Sequence, residues 1–176
     1  WFAAGEAWEL AGEPAAVRRR FAALDRVTVT VDAGPLTVAQ AADQFLERHR
    51  KGRAYLVVLN TIKSSIAFYR ALRRAWDRAG PPLYYLSTNI VPAERERRLQ
   101  EIREGLARGD SPVVVSTQVV EAGVDLDFPA VYRAIAPLES LVQAAGRCNR
   151  HGAESPGTVV IFRVADERSE YPPDYR

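Results

Sequence analysis

Gln143, Arg147 and Arg150 are the residues of this sequence whose types and spacing best fit a chemical task. At about 100° per residue of α-helix, the three side chains fall on one face of a predicted helix over residues 138–150. Two guanidinium groups on a rigid element, with Gly146 beside them, suit a polyphosphate better than an apolar ligand, although arginines that merely point into solvent are the plainer alternative. The helix therefore predicts half of a phosphate-binding site. Its opposite, buried face is predicted to carry Leu138, Leu141, Ala145 and Cys148.

Small hydrogen-bonding side chains follow three of the predicted strands. Each pair precedes or lies near a predicted helix N-terminus, where backbone amides favour anions. Hydroxyl groups there add contacts to phosphate without selecting a base. A row of phosphates along one nucleic-acid strand would fit, but capping of helices is the commoner reason for such residues in a single loop. The pairs are Asn60 and Thr61, Ser87 and Thr88, and Ser116 and Thr117.

The segment 116–128 places several carboxylates and a glycine directly after a predicted core strand. Asp125 could accept a hydrogen bond from a ribose hydroxyl or from an arginine. A metal or glycosidase site made of two carboxylates lacks a further ligand set, so we predict no metal here. The other members of the group are Glu121, Gly123 and Asp127.

Strand-like and helix-like segments alternate along the chain and predict an α/β fold, a parallel sheet with helices on both faces. Predicted strands cover residues 26–31, 54–59, 83–86, 113–115, 130–135 and 158–164, and a turn at 32–35 ends the first of them. Because ligands gather beyond the carboxyl ends of parallel strands, we expect Arg147 and Arg150 to lie at the sheet edge that bears Thr117 and Asp125. Their side chains should point outward and not be locked in salt bridges.

The predicted organisation is one domain over residues 26–164, preceded by a lead-in segment at 1–25 and followed by a polar tail at 165–176. The 176 residues include 24 basic and 22 acidic ones, so any polyanion site must come from local placement of charge and not from the net charge of +2. The single cysteine, Cys148, fits a reducing cytoplasm, and no apolar run is long enough to span a membrane. A sequence that starts at Trp1 and contains no methionine is expected to be a piece of a longer protein.

Two segments resemble motifs V and VI of superfamily 2 helicases. They are STQVVEAGVDLDF at residues 116–128 and QAAGRCNR at 143–150. The ending GRCNR is similar to that of the CRISPR-associated helicase and nuclease of type I interference systems. The stretches VVLNTIKSS at 57–65 and YLSTNIVPAERE at 85–96 resemble motif IV and the segment after it in the same family. The resemblance spans about residues 54–152.

The resemblance implies the second RecA-like lobe of an ATP-driven motor that moves 3′ to 5′ along single-stranded DNA in a prokaryotic cytoplasm. In the full-length protein it also implies a nuclease and recruitment to an RNA-guided CRISPR surveillance complex. ATP and Mg²⁺ would be held mainly by the first lobe, because these 176 residues contain no GxxxxGK[ST] loop and no DExH or DEAD sequence. The isolated chain is therefore expected not to hydrolyse ATP.

The resemblance also implies roles for individual residues. Arg150 would be the arginine finger, with Arg147 and Gln143 as its partners at the triphosphate. The nucleotide side of motif V would be formed by Gly123 and Asp125. Phosphates of the tracked DNA strand would be held by Asn60, Thr61, Lys63, Thr88 and Thr117. Glu94 departs from the histidine or basic residue that the family pattern more often has there.

Two other functions fit the same residues. The chain could be a lobe of another superfamily 2 helicase that acts in repair or RNA metabolism, but the Cys148-Asn149 pair between the two arginines argues against it. It could also be a non-catalytic nucleic-acid-binding scaffold module. A scaffold module would not require Arg147, Arg150 and Asp125, so these residues argue against that function.

Overall fold

A computed structural model describes residues 26–77, 79–120, 125–152 and 155–165. Six strands form one sheet in the order β1-β6-β5-β2-β4-β3, and every neighbouring pair is parallel. The predicted parallel sheet is thus confirmed. The predicted lead-in and nearly all of the predicted tail lie outside the described residues. The strands are β1 (Val27–Leu36), β2 (Tyr55–Val58), β3 (Leu83–Leu86), β4 (Val113–Ser116), β5 (Ala130–Ala134) and β6 (Gly157–Val164).

Helices cover both faces of the sheet, as the sequence predicts. On one face α2 and α3 bury Phe45, Phe68 and Leu72 against the strands. On the other face Leu99 and Ile102 of α4 and Ala144 of α5 pack against the opposite sides of the same strands. Because side chains of a strand alternate between its two faces, the four fully buried residues of β2 contribute to both cores. The helices of the described residues are α2 (Val38–Arg48), α3 (Ile62–Ala75), α4 (Pro92–Ala107) and α5 (Leu138–Ala145).

Local sequence signals fix the starts of three helices. Thr37 caps α2 in a capping box with Gln40, and Thr61 caps α3 by accepting the Ser64 amide. Pro92 occupies the first turn of α4, where its missing N–H costs nothing. Glu94 and Arg98, four residues apart on α4, form a salt bridge at 2.7 Å.

Two local predictions are wrong. The turn predicted at 32–35 does not end β1, which continues to Leu36 through a register shift between Val31 and Pro35. Strand β1 lies at the sheet edge, where proline is tolerated because its missing amide need not pair. The helix predicted to reach Arg150 ends at Ala145.

The buried face predicted for that last helix is wrong in part, because Ala145 packs against the core and Cys148 is buried, but Leu138 is not. Leu138 is 71% exposed, and Ala144 is the fully buried residue of α5. Cys148 is buried, but it lies beyond the helix in a β-bridge with Phe128. The chain leaves the helical path at Gly146 because the next residues pair with a distant segment, so a helical wheel drawn over residues 138–150 places them wrongly.

His49 makes the stability of the fold dependent on pH. Its ring packs against those of Phe45, Tyr55 and Trp76 at 5.1–5.9 Å between centroids. Burial, together with the positive charges of Arg50 and Lys51, lowers the pKa of His49 below its usual 6.5. The folded protein therefore favours the neutral ring.

We predict that the free energy of unfolding contributed by His49 is fully present above pH 6.5 and is lost as the pH falls below that value. The reason is that the unfolded chain then binds a proton that the folded chain still excludes. Urea unfolding at pH 7.5 and 5.5 measures the effect, with His49→Gln as the comparison. The loss between the two pH values should be smaller in the variant, and an equal loss in both proteins would contradict the prediction.

Candidate functional site

The loops after β2, β3 and β4 meet at one edge of the sheet. Val58 of β2 and Leu86 of β3 are both in register with Ser116 of β4, so the residues that follow these strands begin at the same height. We refer to this side, formed by Asn60, Ser87, Thr117 and the neighbouring Ile135, as the carboxyl edge. The prediction that the three hydroxyl-bearing loops share one edge is confirmed.

Asn60 and Thr61 are both engaged by the protein. The Thr61 hydroxyl donates to Ser64 Oγ at 2.9 Å and accepts the Ser64 amide at 3.0 Å. The Asn60 amide donates to the Ile135 carbonyl at 2.8 Å and accepts from Arg133 Nη1 at 2.6 Å. Helix capping, the plainer alternative for these residues, therefore accounts for Thr61, and Asn60 ties the carboxyl end of β2 to that of β5.

The remaining predicted nucleic-acid contacts differ in how much surface they offer. Lys63 and Thr88 have exposed positions at the carboxyl edge, in the first turn of α3 and just after β3. Thr117 is only 6% exposed and its backbone amide donates to the Leu86 carbonyl. Lys63 and Thr88 are thus the most accessible of the five residues.

Arg133 contacts Asn60 at the carboxyl edge and was not predicted as a site residue from the sequence. It lies on the central strand β5 with no exposed surface, and its Nη1 also donates to the Ala134 carbonyl at 2.8 Å. Because a buried charge is costly unless it is hydrogen-bonded, this guanidinium holds Asn60 firmly at the carboxyl edge. The sequence does contain a signal that could have identified Arg133, namely a charged residue inside an otherwise apolar strand.

The arginines lie at the other side of the sheet. Residues 146–152, the arginine loop, follow α5 at the amino edge, where β1, β5 and β6 begin. The Phe128 amide donates to the Arg147 carbonyl at 2.9 Å, and the Asn149 amide donates to the Phe128 carbonyl at 3.0 Å. Because Phe128 precedes β5 by two residues, the expectation that the arginines share an edge with Thr117 is wrong. Parallel strands of about five residues separate the two edges by roughly 15 Å.

Arg150 and Asp125 do lie close together, as expected, but at the amino edge. Asp125 lies beside Arg150, whose Nη1 donates to Asp125 Oδ1 at 2.7 Å. Asp127 accepts the Arg150 amide at 2.8 Å and the His151 amide at 3.1 Å. Asp125 and Asp127 therefore hold the arginine loop through the Arg150 side chain and through the backbone amides of Arg150 and His151.

The expectation that both arginines avoid salt bridges within this domain is wrong for Arg150, which pairs with Asp125. Their side chains are 47% and 71% exposed. An exposed pair of this kind contributes about 0.2–1 kcal/mol, so a more strongly charged ligand could replace the carboxylate. The bridge holds Arg150 at the surface without burying it.

Cys148 and Asn149 give the arginine loop its shape. Asn149 adopts a left-handed backbone with φ of 48°, and its side chain donates to the carbonyls of Arg26 and Ser155. Burial raises the pKa of the Cys148 thiol to about 11, which agrees with the structural role predicted for it. A Cβ atom on Gly157 would lie 2.5 Å from Cys148 Sγ, so the loop rests directly on the start of β6.

A groove of about 320 Å³ lies beside the Arg150–Asp125 pair. It opens between α4 and the segment that carries Asp125. Within the described residues, no group of three or more His, Cys, Asp or Glu side chains is placed to hold a metal. Gly123, predicted on the nucleotide side of motif V, lies outside the described residues, whereas Gln143 is exposed on α5. The groove is lined by Arg103, Leu106, Ala107, Asp125, Leu126, Asp127 and His151.

The sequence matches a known family over the region that carries these features. A profile of the family described as "CRISPR-associated nuclease/helicase Cas3, C-terminal" matches residues 51–153. The CRISPR-associated nuclease/helicase Cas3 of Haloferax volcanii is 47% identical over 92 residues, which are 51% of this chain and 10% of that protein. The chain therefore spans only a small part of such a relative.

Solved structures share the fold. The crystal structure of T. fusca Cas3-ATP superposes with a TM-score of 0.67 at 22% identity, covering 85% of this chain and 20% of that one. A chain of a CRISPR RNA-guided surveillance complex in a pre-nicking state superposes with a TM-score of 0.66 at 23% identity, covering 86% and 20%. The predicted RecA-like fold of a helicase C-terminal lobe is confirmed. Within the part of the chain that the structure describes, no helix is long and apolar enough to cross a membrane.

We predict that Gly157→Ala destabilises the protein by about 1–3 kcal/mol, the usual cost of overpacking. Its Cβ would lie 2.5 Å from Cys148 Sγ and 2.9 Å from Asn149 Cβ, so the arginine loop would have to shift. Gly34→Ala is the matched control, because nothing lies within 4 Å of a Cβ there. Urea unfolding of both variants measures the difference, and equal midpoints would show that the loop does not rest on Gly157.

Proposed function

Because this chain belongs to the family of C-terminal domains of the CRISPR-associated nuclease/helicase Cas3, we propose that it is the second motor lobe of an ATP-dependent 3′ to 5′ single-stranded DNA translocase. The observation that carries this proposal is the contact between two helicase motifs 20 or more residues apart, through Asp125, Asp127 and Arg150. This contact places the Arg150 guanidinium at the surface, beside the groove that Asp125 and Asp127 line. A scaffold module would have no use for this arrangement.

At the amino edge, the proposed task of the chain is to bring a positive charge to a nucleotide held by another lobe. ATP supplies the phosphoryl group that is transferred, and Arg150 stabilises the negative charge that develops on it. Arg150 would exchange the Asp125 carboxylate for the phosphate when the lobes close, because the exposed salt bridge is weak and a phosphate offers more charge. Arg147 and Gln143 are proposed to assist at the triphosphate.

At the carboxyl edge, the proposed ligand is the phosphate backbone of single-stranded DNA. The N-terminus of α3 presents backbone amides beside the exposed Lys63, and this combination favours an anion. Thr88 follows β3, which pairs with β4, and therefore lies farther along the same edge. Asn60, Thr61 and Thr117 shape this edge and are proposed to line the path of the DNA backbone.

The whole protein is proposed to act in CRISPR interference in the prokaryotic cytoplasm, with a nuclease and with recruitment by an RNA-guided surveillance complex. The pre-nicking complex that contains a chain of similar fold supports this proposal. Mg²⁺ would be bound with ATP by the first lobe. A lobe from a different superfamily 2 helicase is less well supported, because the family profile covers residues 51–153, motifs V and VI included.

We predict that Arg150→Ala in the full-length protein lowers DNA-stimulated ATP hydrolysis by about 10³-fold or more, as the loss of an arginine finger does in related phosphoryl-transfer enzymes. Folding should change little, because the variant loses one exposed salt bridge. Arg48→Ala is the control, since it removes another arginine–aspartate pair, in which the side chains of Arg48 and of Asp32 on β1 are 42% and 15% exposed. Normal turnover by Arg150→Ala would refute the proposed role.

We also predict that the isolated lobe binds single-stranded DNA weakly and that its affinity falls steeply as salt is raised, because contacts to phosphates release counterions. Lys63→Ala should weaken binding and reduce the slope of log affinity against log salt by about one unit. Fluorescence anisotropy with an oligonucleotide between 50 and 200 mM salt measures both quantities. Tight binding that does not change with salt would instead favour a scaffold module with base contacts.

A further inference from the structure

Arg26, the last residue before β1, contacts the arginine loop although it is 124 residues from Arg150 in the sequence. Its Nη1 donates to the Arg150 carbonyl at 2.6 Å. Its own carbonyl accepts the Asn149 side chain at 2.9 Å and the Gly157 amide at 2.8 Å. One residue thus holds the loop through both its side chain and its backbone.

The contact continues along the loop past Arg150. Gly152 has φ of +68°, and a Cβ atom there would lie 3.7 Å from Arg26 Nε. The guanidinium of Arg26 therefore lies close to the turn in which the Gly152 amide donates to the Asn149 carbonyl. From Asn149 to Gly152, the loop lies against Arg26.

The backbone of Arg150 is consequently fixed on both sides. Its amide donates to Asp127 Oδ1, and its carbonyl accepts from Arg26 Nη1. With both peptide groups held, the side chain can leave Asp125 by rotation about its own bonds without displacing the loop. The residue before β1 and the segment before β5 provide these two supports.

We propose that Arg26 is a positioning residue for the finger arginine: it acts through the Arg150 backbone and does not touch the nucleotide. This inference rests on the proposed function of Arg150. A catalytic group that is misplaced by about 1 Å can lose up to 10²-fold in rate. Arg26→Ala should therefore lower the rate of phosphoryl transfer while ATP binding, which belongs mainly to the other lobe, is retained.

The test uses the full-length protein and compares Arg26→Ala, Arg26→Lys, Arg150→Ala and the control Arg48→Ala. We expect Arg26→Ala to lower the kcat of DNA-stimulated ATP hydrolysis about tenfold with KM for ATP within about twofold of wild type. Arg26→Lys should recover most of kcat, because its ammonium can still donate to the Arg150 carbonyl. Hydrogen exchange should be faster over residues 146–152 in Arg26→Ala and unchanged there in Arg48→Ala.

Wild-type kcat in Arg26→Ala would overturn the inference. So would an equal loss in Arg48→Ala, a failure of Arg26→Lys to recover activity, or unchanged exchange over residues 146–152 in Arg26→Ala. If Arg150→Ala retains normal turnover, the proposed function of Arg150 fails. The exchange measurement then still decides whether Arg26 holds the loop.

Discussion

The backbone pairing between Phe128 and the arginine loop is the constraint on which the candidate site depends. After α5 ends at Ala145, the chain has no helix to satisfy its peptide groups, and buried peptide groups must find partners. The backbone of Phe128 makes two hydrogen bonds, to the Arg147 carbonyl and the Asn149 amide. The Asp127 carboxylate accepts the amides of the next two residues, Arg150 and His151. Two adjacent residues of motif V thereby determine where both arginines lie.

Much of the fold was predictable because its signals are local. Continuous apolar runs identified β2 and β4, and Thr37 and Pro92 marked the starts of their helices. Alternation of strands and helices predicted the parallel sheet, and parallel strands in turn placed Asn60, Ser87 and Thr117 at one edge. Each of these inferences needs only a few neighbouring residues.

The placement of the arginines was not predictable in this way. A helical wheel over residues 138–150 assumes that the helix continues, whereas the pairing with Phe128, about 20 residues earlier, ends it. Arg26 and Gly157 were missed for the same reason, since their contacts to the loop join segments that are distant in sequence. The types and spacing of Gln143, Arg147 and Arg150 predict a phosphate ligand, which stays a prediction, and they do not reveal the edge at which the arginines lie.

The resulting arrangement separates two sites that one segment connects. The described residues proposed for DNA lie at the carboxyl edge, whereas Arg147, Arg150 and Asp125, proposed for the nucleotide, lie at the amino edge. The connecting segment is continuous in sequence from Thr117 to Asp127, and its residues Asp125 and Asp127 contact the arginine loop. A shift of the arginine loop on nucleotide binding would act directly on this segment. The exposed Arg150–Asp125 pair is the part of the arrangement that is expected to change partners.

The most direct test of the central claim is an experimental structure of the full-length protein with a non-hydrolysable ATP analogue and single-stranded DNA. The distance to measure is that from the Arg150 guanidinium to the terminal phosphate. We predict that it is about 3 Å, a hydrogen bond, with Asp125 released and the Phe128 pairing of the arginine loop retained. A closed, nucleotide-bound structure in which Arg150 stays on Asp125, away from the phosphates, would contradict the account.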